Sequence, residues 1–510
     1  MITEVYINDQ LIDIDQEETV TASYGNISFG EFQKRKGVKS NTWKAPFSIR
    51  NKMVFESCEV PGSYSVIPYR KSSIRVEIYG VVVFEGFCIV EEAKDAYEII
   101  SFAGASDFYD TINKRKLDEL DLSDYNHSWN EGVIRTSWAN TQGYIYAYVH
   151  YRRFQSDEIL PEILLPQIFF HTIVKQIATD AGYTLSGNVL TDPKFLKHII
   201  VANRFPLPII YGGDMILNYV LPDVAQSKVW LDFANMYGLQ FDIDDNLKTI
   251  RANYIDDLLF NEPEDWSAKV DRSEKVRTSY TLDYGQKSYL RYNTDDVLLE
   301  GLEKEIVIDD HTLDFEKDIY KSAFFVGQSQ EFTDKIYTDT FVIKDDKGYD
   351  FVWDAVTTFS ATANVRWNGS FYTALQTNSN QEPPNATYWK PIKEADLYTI
   401  KSRPLYGTLV TNVVSAYEVV FPGGNESITK IINRDGLIWE EIYTNRYRVF
   451  SRIIDRTKKI QIAVKLNYAD INQLDFTKLK RIDGELYVLE EVVQFKLNKT
   501  DSTLCNLIRL

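Results

Sequence analysis

Ile74-Arg75-Val76-Glu77-Ile78-Tyr79-Gly80-Val81-Val82-Val83-Phe84 decides the class of fold. Ile74, Val76 and Ile78 face one way while Arg75, Glu77 and Tyr79 face the other, which is the period-two pattern of a half-buried strand. Gly80 offers a turn into a second apolar run. Val5 to Ile14 and Tyr97 to Phe102 read the same way, so the first hundred or so residues form a hairpin-based β domain. Near the other end Ile460, Ile462, Val464 and Leu466 alternate, Asp483-Gly484 makes a two-residue turn between Leu479–Ile482 and Glu485–Val493, and Thr503–Leu510 is a strand.

Helical spacing appears only in the middle. Pro166 suits a first helical turn, Ile168, Phe169, Ile173, Ile177 and Ala181 recur on one face, and Gly182 supplies a left-handed stop before a strand at Tyr183–Leu185. Val229, Trp230, Phe233, Ala234 and Tyr237 repeat the design, with Gly238 as stop and Leu239, Phe241 and Ile243 alternating afterwards. Asp244 to Asn246 then turns into Leu247–Arg251. Two helix, glycine, strand units hint at an internal duplication. Residues between about 115 and 160 read as loops with short strands. The carboxylates Asp256, Asp257, Glu262, Glu264 and Asp265 read as a solvated connector. The predicted class is mainly β with α+β parts.

A chain of 510 residues must hold several cores, since single cores rarely grow past roughly 250 residues. No apolar run approaches the roughly 18 residues of a membrane span. Met1 to Asp9 carry neither a basic start nor a continuous apolar stretch, so synthesis and retention in the cytosol are expected. Cys58, Cys88 and Cys505 are odd in number and widely spaced, which fits reduced, packed thiols and no cysteine metal site. The formal charge of -18 disfavours gripping nucleic acid, although an acidic surface can line a channel through which nucleic acid slides. Aromatics make up 14 %, led by 33 tyrosines and 28 phenylalanines, and they suit pleated surfaces and large contacts.

Catalytic patterns are absent: there is no Gly-x-Ser-x-Gly elbow, no His-Glu-x-x-His pair and no phosphate loop. No catalytic residue, metal ligand or cofactor is assigned. Asp242, Asp244 and Asn246 open like a calcium loop, but Leu247 stands where glycine belongs and Asn253 where the closing glutamate belongs, so a polar hairpin turn is expected. His127, His150, His171, His198 and His311 never reach ligand spacing and read as structural. Lys34, Arg35 and Lys36, followed by Lys39 and Lys44, form the most basic run and read as an exposed loop or subunit contact.

Leu120-Asp121-Leu122-Ser123-Asp124-Tyr125-Asn126-His127-Ser128-Trp129, Ser40-Asn41-Thr42-Trp43-Lys44-Ala45-Pro46, the Ile482–Val493 hairpin and Phe233-Ala234-Asn235-Met236-Tyr237-Gly238-Leu239 resemble the tail hub and late-control proteins of tailed phages, as scattered motifs along most of the chain. The resemblance implies two tube-like β-barrel domains, a helix-containing domain between them, and a homotrimer forming a pseudo-sixfold ring that joins the tail tube protein to spike or tip proteins. It implies a virion component at the tail tip, made in the host cytoplasm, with DNA passing through its channel. On this reading residues 1–115 are the N-terminal tube-like domain and 116–251 the mixed α+β domain. Residues 252–344 and 393–510 form the second β domain, and 345–392 an inserted β module.

That insert carries a second, local resemblance. Val365-Arg366-Trp367-Asn368-Gly369-Ser370-Phe371-Tyr372-Thr373-Ala374, then Gln381-Glu382-Pro383-Pro384 and Trp389, is similar to a small chitin-binding-type carbohydrate-binding module. The resemblance implies a host surface glycan as partner and exposed ring faces at Trp353, Trp367, Tyr388 and Trp389. Tyr372 and Trp389 equally suit the module's own core, because so small a unit has little else to bury. The two resemblances imply a tail hub or, in its place, a distal-tail or receptor-binding baseplate protein; a polysaccharide-degrading enzyme with a binding module stays open because paired carboxylates have no fixed spacing.

Overall fold

Antiparallel pairing dominates the computed structural model, which describes residues 3–15, 18–25, 38–103, 106–149, 159–161, 164–202, 211–244, 247–280, 284–293, 302–308, 313–326, 328–329, 336–337, 341–344, 351–367, 370–392, 399–402, 405–411, 418–422, 424–428, 430–454, 457–497 and 501–510. The fold is mainly β with α+β parts. Its largest element is a 14-stranded sheet. The ladder runs Arg277–Ser279, Lys459–Val464, Thr503–Arg509, Glu485–Lys496, Thr21–Gly25, Val38–Ser40, Ala96–Ala103, Val81–Ala93, Ser72–Ile78, Thr3–Ile7 and Gln10–Ile12. Trp43–Pro46 pairs beside Ala96–Ala103, and Lys480–Ile482 beside Glu485–Lys496.

The Ile74 stretch behaves as its alternation predicts: Ile74, Val76 and Ile78 are all buried, and Tyr79 and Gly80 take positive φ at the turn. The run from Val5 to Ile14 is not one strand. Asn8 and Asp9, both at positive φ, fold it into a hairpin of Thr3–Ile7 and Gln10–Ile12. Asp483 and Gly484 make the expected tight turn with φ of 50° and 89°. Register shifts at Val90/Glu92 and Leu489/Glu491 are bulges, which bend and twist a sheet this wide.

Strands from 1–115 and from 393–510 share this ladder, joined where Thr21–Gly25 pairs with Glu485–Lys496. They also share one apolar core, in which Trp43, Phe55 and Tyr97 meet Ile462, Val492 and Leu507.

A second and larger core forms around the helices Phe170–Asp180 and Gln226–Met236. The first helix starts four residues later than Pro166 suggests. Gln167–Phe169 is instead a strand of a six-stranded sheet, paired with Tyr144–Ile145 and His198–Val201. Gly182 and Gly238 sit at φ of 86° and 59°, the left-handed stops that end both helices. The strands behind those stops meet: Thr184–Ser186 runs parallel to Thr249–Tyr254, which pairs antiparallel with Leu239–Asp244.

Among the described residues six helices lie where the sequence pattern places none: Ile49–Val54, Ser106–Asn113, Glu131–Ser137, Trp439–Arg446, Arg448–Ile454 and Tyr468–Asn472. Glu131–Ser137 is N-capped by Asn130, whose side chain accepts from Val133 N. Trp439–Arg446 and Arg448–Ile454 break at Tyr447 and together bury Trp439, Ile442, Val449, Phe450 and Ile453.

A third core is small. Phe359, Val365, Tyr372, Ala374 and Trp389 fill it, beneath a four-stranded sheet of Phe351–Val352, Asn364–Trp367, Ser370–Ala374 and Trp389–Ile392. Phe341–Lys344 and Thr399–Ser402, on either side of this module in sequence, pair as an antiparallel ribbon.

Candidate functional site

Among the described residues, several of the most exposed apolar side chains lie between residues 49 and 69. After the Trp43–Pro46 strand the chain enters the helix Ile49–Val54, where Ser48 accepts from Asn51 N at 3.2 Å. Asn51 is fully buried and fixes the helix: its carbonyl accepts from Asp13 N, and its amide donates to Asp13 O and Pro46 O, each at 2.8 Å. With Asn51 and Val54 turned inward, Ile49 and Met53 point out and are 83 % and 74 % exposed. The following loop folds back, with Ser57 N donating to Lys52 O and Ser65 Oγ to Glu56 Oε2. It holds Tyr64 99 % and Tyr69 88 % exposed, with Val60 and Val66 about half so. A folded loop that shows six large apolar side chains to water has the character of a contact surface.

The wide sheet also ends openly. Arg277, Thr278 and Ser279 are all exposed, flanked by exposed Val276 and Tyr280. Among the described residues their outer edge pairs with no strand, and such an edge is a template for another chain.

In the module the four expected ring residues come together, but unequally. Trp389 is 1 % exposed and crosses Phe359 edge-on at 5.5 Å. Its indole N–H donates to Gln381 O at 2.6 Å, and that carbonyl also accepts from Trp353 Nε1 at 3.0 Å. Trp353, Trp367 and Tyr388 are half-buried against the same core, Trp367 meeting Tyr372 at 6.4 Å. Trp389 therefore serves the core, and the partly open rings are the other three. Asn368 and Gly369 lie outside the described residues.

Several acidic residues are held in structural partnerships. A cavity of about 370 Å³ is lined by Glu264, Asp265, Lys269 and Asp470. In it Glu264 pairs with the buried Lys480 at 2.7 Å, Asp470 with Lys269 at 2.8 Å, and Asp265 accepts from Ser267 N. The expected solvated connector is thus wrong at two of its members, Asp256 and Glu264. Asp256 is buried and accepts from Arg448 N and Val449 N, capping the Arg448–Ile454 helix, a partner about 190 residues away that local charge density does not reveal.

A second cavity, about 350 Å³, is lined by Lys194, Tyr237, Glu441, Arg446 and Arg448. Arg446 is taken by Asp192 and lies over the Tyr254 ring. Among the described residues no group of three or more His, Cys, Asp or Glu could hold a metal ion, and no helix is long and apolar enough to cross a membrane.

His127 stacks on Tyr144 at 3.9 Å, with its ring nitrogens bonded to Tyr125 O and Tyr146 OH. His198 bonds Tyr237 OH, and burial pushes both His171 and His198 down to about 4. Lys44 pairs with Glu98. Lys34, Arg35, Lys36, Asn246, His150 and His311 lie outside the described residues.

One group escaped the sequence reading altogether. Asp232, on Gln226–Met236, is fully buried, and its carboxyl receives hydroxyls from Tyr406 and Ser322, each at 2.9 Å, and from Tyr320. Burial pushes the carboxyl up to about 7, against the pull of these donors.

No family model and no curated protein matches the chain. Among solved structures it is similar to the crystal structure of the prophage MuSo2 43 kDa tail protein from Shewanella oneidensis, at 6 % identity and a TM-score of 0.39, over 100 % of this chain and 98 % of that chain. So loose a superposition fixes neither family nor role.

Proposed function

We propose that the chain is a structural protein of a phage-type tail, acting without turnover as the hub that joins the tail tube to the tip or spike. It works as a ring of its own copies, three in number, in the virion, with its acidic surface turned to the DNA channel. The observation that carries this reading is the uncovered apolar surface at Ile49, Met53, Tyr64 and Tyr69 on a very wide sheet with an open edge. A chain built to stand alone covers such groups, because each buried aromatic removes a large apolar area from water. The occupant is a second copy of the chain.

Mass photometry of the purified protein at micromolar concentration tests this. The expected result is a ring of copies that the double substitution Tyr64→Ser, Tyr69→Ser dissociates, weakening association by roughly 100-fold or more, as the loss of two aromatic anchors does. A wild-type monomer at that concentration would remove the basis for the reading.

A second reading, a receptor-binding baseplate or distal-tail part, is favoured by the module, which has its own core and sits between two paired strands. Its half-buried rings Trp353, Trp367 and Tyr388 are the candidate platform for a host surface glycan. Retention on chitin is expected to fall at least tenfold in Trp367→Ala, the loss of one stacking face, and unchanged retention would exclude this platform.

A further inference from the structure

Asp232 stands where three parts of the chain meet. Its helix, Gln226–Met236, supplies the carboxyl. Tyr320, near the end of the Asp314–Lys321 strand, and Ser322 just beyond it supply two hydroxyls, and Tyr406 of Leu405–Thr411 supplies the third. Those donors belong to the two legs of the insertion. The chain leaves the large core through Phe325–Val326 and returns through Leu405–Thr411. The two run side by side in parallel, Phe325 opposite Leu405 and Val326 opposite Tyr406.

The legs are tied to each other as well. Phe324 stacks on Tyr406 with ring centres 4.1 Å apart and planes 9° apart, and Phe324 N–H donates to Ser322 Oγ. The described segments between Gln328 and Ser402, the module included, lie between these two legs in sequence. One fully buried carboxyl therefore fastens both legs to the helix.

We propose that Asp232 is a proton-controlled clamp on the legs of the insertion: with its proton bound the legs are held against the helix, and with its proton lost they part from it more readily.

The surroundings suit this behaviour. Lys228, one turn back on the same helix, is the cation that acts on the carboxyl, and it is exposed. From the other elements the facing groups are Tyr320, Tyr406 and Tyr292, with the Trp439 indole 5.4 Å from Tyr292 and 5.9 Å from Tyr320. Burial holds Tyr292 and Tyr406 well above the ordinary phenol value, so they stay neutral across the range that matters. Asp232 is the group left to titrate.

Its carboxyl is raised to about 7 when clamped, against about 4 in water. The clamped state is therefore the one that holds the proton, and in it the carboxyl's own O–H donates to one of the three hydroxyl oxygens while the other two hydroxyls still donate to it. The clamp is at full strength below about pH 4, weakens as pH climbs to about 7, and changes little above that. Between about pH 5.5 and about pH 8 the opening equilibrium rises roughly 30-fold on this linkage.

Hydrogen–deuterium exchange on the full chain, with intrinsic rates normalised, reads this directly and needs no assembly or ligand. In the wild type, protection of peptides spanning 318–326 and 405–411 is expected to fall by tens of times between about pH 5.5 and about pH 8, while Glu485–Lys496 keeps its protection. Asp232→Asn is expected to abolish the difference. A wild type with no difference, or an Asp232→Asn protein with the same one, overturns the proposal. Should Asp232→Asn fail to fold, Tyr406→Phe removes one donor to the carboxylate and is expected to move the midpoint to higher pH. A midpoint that stays put is equally fatal.

Discussion

Trp389→Ala is expected to unfold the module 351–392 and to leave the rest of the chain intact. The module's buried core is Phe359, Val365, Tyr372, Ala374 and Trp389, so its largest ring is a substantial part of everything it hides from water. A unit of this size rarely has more than about 3–5 kcal/mol of stability from one core. Removing a buried tryptophan costs about the same, 3–5 kcal/mol. The indole also shares Gln381 O with Trp353, so the substitution loosens a candidate glycan ring too. Limited proteolysis is the measurement: new cleavage confined to the stretch between Lys344 and Thr399, with the remaining fragments as resistant as before. Protection of the module in the variant, or cleavage spread through the chain, contradicts the expected outcome.

Phe233→Ala is the counterpart in the large core and is expected to destabilise it by about 3–5 kcal/mol. Phe233 is fully buried and meets five rings: Phe195 stacked at 5.2 Å, Trp230 at 5.6 Å, Phe241 at 5.8 Å, Tyr237 at 6.1 Å and Phe170 at 6.2 Å. These come from both central helices, from the Phe195 turn and from the strand behind Gly238, so no single neighbour can move to fill the space. Urea denaturation followed by tryptophan fluorescence measures the loss, and Phe233→Leu, which keeps most of the volume, is expected to lose less than half as much. Equal losses in the two variants would show that the ring cluster does not hold this core together.

Local pattern carried the elements whose cause is local. The alternation of Ile460, Ile462 and Val464, the helix stops at Gly182 and Gly238, and the Asp483-Gly484 turn each depend on residues within a few positions, and each is present. Gln167–Phe169 carries helical spacing because an apolar run flanking a real helix continues its period by chance, while pairing with His198–Val201 claims it as strand. The helices Trp439–Arg446 and Arg448–Ile454 leave no continuous helical period in the sequence because the break at Tyr447 interrupts it.

Of the surfaces and sites, the rings of the module were visible as residue types, and the burial of Trp389 was an open alternative. Asp232 left no trace: an aspartate between Leu231 and Phe233 reads as one polar position on a helix until Tyr320, Ser322 and Tyr406 arrive from 88, 90 and 174 residues away. The 49–69 surface was equally silent, since exposure is a property of the fold and not of Tyr64 or Tyr69.

The seam between Thr21–Gly25 and Glu485–Lys496 has a consequence for how the protein is made. Ser23 accepts a hydrogen bond from Gln494, 471 residues further on. A ribosome adding about 5–20 residues per second needs roughly 25–95 s to bridge that gap. During that wait one flank of the nascent Thr21–Gly25 strand lacks its eventual neighbour, on a polysome where sibling chains offer the same strand. Early termination would strand it in that state, so the cell's chaperones and proteases are the first to meet an unfinished copy.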